Sequence, residues 1–159
     1  EFTWLTEMLG FPKRLAATFG ITIEIPGARD IDDTYNILCD FDGFYASVTV
    51  DVVSRYATRQ LSIIGSAGQI YWTWDRPEIK IFDSSKGGWT SVPIAIAAAA
   101  NGYNENISEQ MYIDEIDAFL KSLSGSEPFP NCLRNDLKIL NILYAAEKSH
   151  TDGTFVRLI

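Results

Sequence analysis

At 159 residues, with 47% apolar and 21% charged side chains, the chain has the length and composition of one globular domain with a real core, which excludes intrinsic disorder. Its net charge of −8, with Lys and Arg scattered and never three in a row, excludes a nucleic-acid binder built on clustered cations. One or two local arginines still suffice to hold an anionic group. No apolar run approaches the roughly 18 residues of a membrane span, and no signal-peptide pattern appears within these residues. Ile94 to Ala100 is the longest apolar stretch and is far too short. Two cysteines, Cys39 and Cys132, stand apart without further ligands, so a reduced, cytoplasmic chain without a metal site is expected.

Phe2, Leu5 and Leu9 recur at helical spacing, and Gly10 with Pro12 stops the helix. Nothing ahead of Glu1 supplies a cap, so the chain is expected to begin inside a helix of a longer protein. Lys13 to Ile25 predicts a strand, broken at Pro26-Gly27. Tyr35, Ile37, Cys39 and Phe41 alternate with Asn36, Leu38 and Asp40, and Asp42-Gly43 is a hairpin turn signal. The returning strand, Phe44 to Ser54, is expected to bury Phe44, Ala46, Val48, Val50 and Val52 on one face.

Further strands are predicted over Arg59 to Ile64, Gln69 to Trp74 and Glu78 to Phe82. Such tight connections leave no room for helical crossovers, which makes the strands antiparallel neighbours and excludes a doubly wound nucleotide fold. Trp89 to Asn106 carries no clear pattern. Ser108 reads as an N-cap with Glu109 in the first turn, followed by an apolar stripe of Tyr112, Ile116, Phe119, Leu120 and Leu123 that ends at Gly125. A second helix, Leu133 to Ser149, is expected to turn Leu133, Leu137, Leu140 and Tyr144 inward, and a last strand runs from Thr154 to Leu158. Strands in one block with helices apart from them indicate an α+β fold, a single domain over residues 1–159.

Most chemistry-bearing residues have plain structural readings. Gly65-Ser66-Ala67-Gly68 lies between two short strands instead of opening a helix, so it reads as a hairpin turn whose glycines supply positive φ, not as a phosphate loop. His150, the only histidine, follows a helix end and fits an interaction with the helix C-terminus. Asp32-Asp33 fits turn chemistry, and Glu109, Asp114, Glu115 and Asp117 mark a solvated helix face. Trp72, Trp74 and Trp89 suit either a core or the wall of a pocket or interface. Arg55, Tyr56 and Arg59 are the functional candidates: they follow an apolar strand, and two guanidinium groups offer planar donors to a carboxylate or phosphate. The alternative is an exposed strand end with local salt bridges.

Several segments form an ordered set: Asp33-Thr34 through Asp42-Gly43, Asp51-Val52-Val53-Ser54-Arg55, Leu61 through Trp72, Met111 through Leu120, Leu137 to Ser149 and Gly153-Thr154-Phe155-Val156. Together they resemble the C-terminal domain of the Gfo/Idh/MocA oxidoreductases, in particular members acting on sugars of surface polysaccharides. The resemblance covers nearly the whole chain. It implies an open-faced, predominantly antiparallel sheet with helices packed on one face, as in the C-terminal domain of glyceraldehyde-3-phosphate dehydrogenase. It also implies a partner Rossmann domain, absent from this chain, that binds NAD or NADP and carries a catalytic lysine. In the family a histidine stands just before the helix that resembles Glu1 to Leu9, and so falls upstream of Glu1. The aspartate that often follows it by three residues falls on Thr3 here.

Those implications set the expectations for function. The chain is expected to be the substrate-binding and dimerisation domain of an NAD(P)-dependent sugar oxidoreductase, pairing as a homodimer through its sheet and taking a sugar or nucleotide-sugar. No catalytic, cofactor-binding or metal-binding residue is assigned to it, and alone it is expected to be inactive. Arg55, Tyr56 and Arg59 are expected to contact substrate, with Trp4 as a wall of the inter-domain cleft and Tyr112 in the core. The rival expectation is a non-catalytic open-sheet module that binds a small ligand or a protein partner directly.

Overall fold

The computed structural model describes residues 1–24, 26–27, 30–94 and 110–158. Its contacts group into two compact units, residues 1–54 with 131–159 and residues 55–130.

The first unit is built on a four-stranded antiparallel sheet in the order β3-β2-β1-β8, from β1 (Arg14–Gly20), β2 (Thr34–Asp40), β3 (Tyr45–Asp51) and β8 (Val156–Arg157). Two helices, α1 (Phe2–Leu9) and α3 (Leu133–Asp152), complete it. Alternation along the strands sends Leu15 and Ala17, Ile37 and Cys39, and Ala46 and Val48 to one face. There they meet Phe2 and Leu5 of α1 and Ile142, Ala145 and Ala146 of α3, in a core where Leu15 and Cys39 are fully buried. The two alanines let α3 approach the sheet closely. Burial of each large side chain here contributes about 1.5–3 kcal/mol. Between β2 and β3 the chain reverses through Asp42 and Gly43, with φ of 60° and 143°, and Phe41 N–H donates to Phe44 O at 3.0 Å. Positive φ at both positions is what a two-residue hairpin demands, which explains an Asp-Gly pair there.

The second unit holds a four-stranded antiparallel meander, β4 (Gln60–Gly65), β5 (Gly68–Thr73), β6 (Glu78–Asp83) and β7 (Gly88–Pro93), and the helix α2 (Gln110–Leu123). Register places Leu61, Ile63, Ile70, Trp72, Ile79, Ile81 and Val92 on one face of this sheet. None of them is fully buried.

Several expectations change. β1 ends at Gly20, short of the predicted Ile25, which lies outside the described residues. On β3 only Ala46 and Val48 reach the core; Phe44, Val50 and Val52 are exposed, because the core beneath the sheet does not extend past the middle of that edge strand. The hairpin at 65–68 forms, with Gly65 paired to Gly68, but neither glycine has positive φ. Gly68 is required for a different reason: a Cβ there would lie 2.0 Å from the carbonyl oxygen of Phe82 on β6. β7 had no clear signal, since Gly88, Ser91 and Pro93 dilute its strand formers Trp89, Thr90 and Val92.

The helices also differ from expectation. α3 turns Ile142, Ala145, Ala146 and Ser149 inward, while Leu133, Leu137, Leu140 and Tyr144 are exposed. Both stripes obey helical spacing, and the smaller residues won the core because they allow close packing on β1. The stripe of α2 is likewise exposed, Tyr112 included at 51%, so Tyr112 is not core. Ser108 and Glu109 lie outside the described residues, as does most of Ile94 to Ala100.

Candidate functional site

The segment carrying Arg55, Tyr56 and Arg59 is shaped at both ends by hydrogen bonds. At the end of β3, Asp51 Oδ1 accepts from the N–H groups of Val53 at 3.1 Å and Ser54 at 2.7 Å, which ends the strand and turns the chain. Hydrogen bonds from Ser54, side chain and backbone, and from Val53 hold the Asp51 carboxyl below its ordinary value. Farther on, Trp74 fastens the segment to the second sheet: its Nε1–H donates to Ala57 O at 3.0 Å and its backbone N–H to Arg59 O at 2.9 Å. Trp74 is therefore half-buried for a structural purpose, with its indole N–H satisfied.

Between these anchors Arg55, Tyr56 and Arg59 are all exposed, Tyr56 at 65%. They belong to one short stretch of the second unit. Trp4 belongs to the first unit, on the outer face of α1, where its Nε1–H donates to Glu1 Oε2 at 2.6 Å. The three candidates of the second unit are thus brought together by chain proximity, and Trp4 stands with the other unit.

Titratable groups with displaced pKa values have structural duties. Asp33 is buried and its carboxylate accepts four hydrogen bonds, from Ile23 N–H at 3.0 Å, Thr22 N–H at 2.8 Å, Thr22 Oγ1 at 2.8 Å and Thr34 Oγ1 at 2.8 Å. The Ile23 N–H, with the Thr22 and Thr34 bonds behind it, lowers its pKa to about 2. Asp33 thus fastens the chain that leaves β1 to the start of β2, as a turn residue does. Burial pushes the Cys39 thiol up to about 11, which leaves it unreactive; Cys132, at the start of α3, is free as well.

Ser149 and His150 serve the sheet edge. β8 is too short to cover all of β1, and Ala17 N–H donates to Ser149 Oγ at 2.9 Å and Phe19 N–H to His150 Nδ1 at 3.2 Å. His150 also stacks on Phe19, with ring centroids 4.2 Å apart. Its role is to finish a strand edge, where the sequence had suggested only the helix C-terminus.

The glycine-rich turn at 65–68 joins two antiparallel strands and opens no helix, so it is a hairpin turn and not a phosphate loop. Among the described residues no cluster of His, Cys, Asp and Glu has the arrangement to hold a metal ion, and no helix is long and apolar enough to cross a membrane. A shallow depression of about 410 Å³ lies over the first sheet, lined by residues of β1, β2 and β3 and by none of the four candidates.

No protein-family model and no curated protein matches the sequence. Solved structures do match in shape. An oxidoreductase from Agrobacterium radiobacter, in complex with NAD+, L-tartaric acid and magnesium, superposes with a TM-score of 0.72 at 18% identity, over 96% of this chain and 45% of its own. The chain has the fold of the C-terminal domain of Gfo/Idh/MocA-type oxidoreductases. The WlbA dehydrogenase from Bordetella pertussis, in complex with NADH and UDP-GlcNAcA, matches with a TM-score of 0.68 at 17% identity, over 98% of this chain and 43% of that one. An oxidoreductase domain protein from Kribbella flavida matches with a TM-score of 0.71 at 13% identity, over 92% and 44%. The chain therefore spans less than half the length of each of these proteins.

Proposed function

We propose that this chain is the substrate-binding and dimerisation domain of an NAD(P)-dependent oxidoreductase acting on a sugar or nucleotide-sugar. The observation that carries the reading is the pattern of coverage: nearly the whole chain superposes on less than half of each oxidoreductase. The remainder of the protein would bind the cofactor, as the neighbours' complexes with NAD+ and NADH support. When bound there, the nicotinamide would supply hydride transfer; the contribution of this chain is to hold and orient the substrate. Arg55 and Arg59 suit the anionic or hydroxylated part of such a substrate, Tyr56 suits its ring face, and Trp4 suits the wall of the cleft. Support for the class of substrate comes from the nucleotide-sugar in the WlbA complex.

Self-association is assigned to the second sheet. Its face of Leu61, Ile63, Ile70, Trp72, Ile79, Ile81 and Val92 is apolar and only partly covered, as expected of an interface between copies.

The test is to translate the gene upstream of Glu1 and assay the encoded full-length protein with NAD+ and NADP+ against a panel of UDP-sugars. A strand followed by Gly-x-Gly-x-x-Gly, and nicotinamide reduction with at least one nucleotide-sugar, are the expected results. An upstream sequence without that fingerprint overturns the proposal and favours a non-catalytic binding module.

A further inference from the structure

The face of the first sheet turned away from the core carries an arrangement that the proposed oxidoreductase role does not use. Because Leu15 and Val156 point into the core, Arg14 and Arg157 point the other way, and they are direct cross-strand partners on β1 and β8. Arg14 is in turn the partner of Asp40, and Asp40 of Tyr45, so one row across four strands reads Tyr45, Asp40, Arg14, Arg157. Two like charges directly opposite one another in an antiparallel pair destabilise a sheet. Here they do so at an edge where a two-residue strand has little else to hold it.

A single carboxylate serves the pair. Asp40 Oδ2 accepts from Arg14 Nε at 2.8 Å, while Asp40 Oδ1 is occupied by the N–H of Asp42 at 2.9 Å. The Arg14 guanidinium also lies over the Phe155 ring, 5.0 Å from its centroid, which fixes its plane, and it interacts with the Tyr45 hydroxyl at the far end of the row. No ion pair or hydrogen bond engages the Arg157 guanidinium among the described residues. The row therefore carries a net positive charge in a protein of net charge −8. Beside it begins the depression of about 410 Å³, whose floor is made of Ala16, Leu38 and Ser47 in the next row and Thr18, Asn36 and Thr49 beyond. Thr49 Oγ1 donates to Asn36 Oδ1 at 3.0 Å, and Thr18 and Ser47 add hydroxyl groups to a floor that is otherwise mostly apolar.

We propose that Arg14 and Arg157 form an oxyanion site on the open face of the first sheet, taking the phosphoryl or carboxylate group of a small molecule whose body lies along the depression. An anion between the two guanidinium groups turns their repulsion into two charge-assisted contacts, and a tetrahedral phosphoryl group matches the fork of each. The site involves neither Trp4 nor the 55–59 segment, so it stands or falls apart from the assignment of those residues.

The test is an NMR titration of the whole chain with inorganic phosphate, with acetate and with chloride at matched ionic strength, following the arginine Nε–Hε signals. Phosphate is expected to shift the Arg14 and Arg157 signals saturably while those of Arg76 and Arg134 stay in place, and acetate to do so more weakly. R157Q is expected to weaken phosphate binding about tenfold or more, the loss of one charge-assisted hydrogen bond. R157K, which keeps the charge but loses the fork, should fall between. Shifts that chloride reproduces at the same ionic strength, or an unchanged dissociation constant in R157Q and R157K, would overturn the proposal.

Discussion

The two units solve the problem of burying apolar surface in opposite ways. In the first, strand alternation and two helices converge on a closed core, and all of the fully buried side chains among the described residues belong to it. The second has a comparably apolar sheet face and a helix with an apolar stripe, yet not one of its described residues is fully buried. A domain normally hides such surface against another layer. The contrast teaches that, among the described residues, the closed core lies in the first unit.

The sharpest way to break the comparison is to remove core volume from each unit. Leu15→Ala, at a fully buried site, is expected to cost about 2–5 kcal/mol, and urea denaturation would read it directly. Ile81→Ala, on the partly covered face of the second sheet, should cost clearly less than Leu15→Ala. Equal losses at the two positions would dissolve the distinction. Next in size is Gly68→Ala, expected to cost about 1–3 kcal/mol because its methyl group would collide with the Phe82 carbonyl. Gly65→Ala meets only Gly68 O at 3.7 Å and should cost clearly less, as comparative thermal unfolding would show.

Acid sensitivity separates the units further. The folded pKa of Asp33, about 2, lies below its ordinary 3.8. Its contribution is therefore fully present above the unfolded value and is lost as pH falls from about 4 towards 2. Asp33→Asn should flatten the stability profile of the first unit across that window and lower stability at neutral pH. An unchanged acid limb in denaturation curves would show that the four hydrogen bonds do not hold in solution. Ile63→Asp and Ile81→Asp, on the partly covered face of the second sheet, probe association more than stability. These substitutions should instead abolish self-association in sedimentation while leaving the signals of the first unit in place.

What could be read in the sequence was whatever local chemistry decides. Asp42-Gly43 announces a hairpin because positive φ at two adjacent positions is demanding, and Phe2, Leu5 and Leu9 announce a helix face because they recur at helical spacing. α3 was misread because it carries two apolar stripes, and the choice between Leu137 and Ala146 is made by the sheet it packs on. The role of Gly68 was hidden for the same reason: the atom it makes room for belongs to Phe82, on a neighbouring strand. The candidate site shows the same boundary. Arg55, Tyr56 and Arg59 were visible as a cluster since they are neighbours in the chain. The row of Arg14, Asp40 and Arg157 was not, because it exists only through the register of strands from opposite ends of the sequence.

The central claim is that this chain holds the substrate half of a two-part oxidoreductase and leaves the cofactor to the other half. Calorimetric titration of NAD+ and NADP+ into the 159-residue chain and into the full-length protein tests it most directly. The account predicts no measurable heat of binding for the chain alone and saturable binding of one of the two cofactors to the full-length protein. Micromolar binding of either dinucleotide to the chain alone would contradict it.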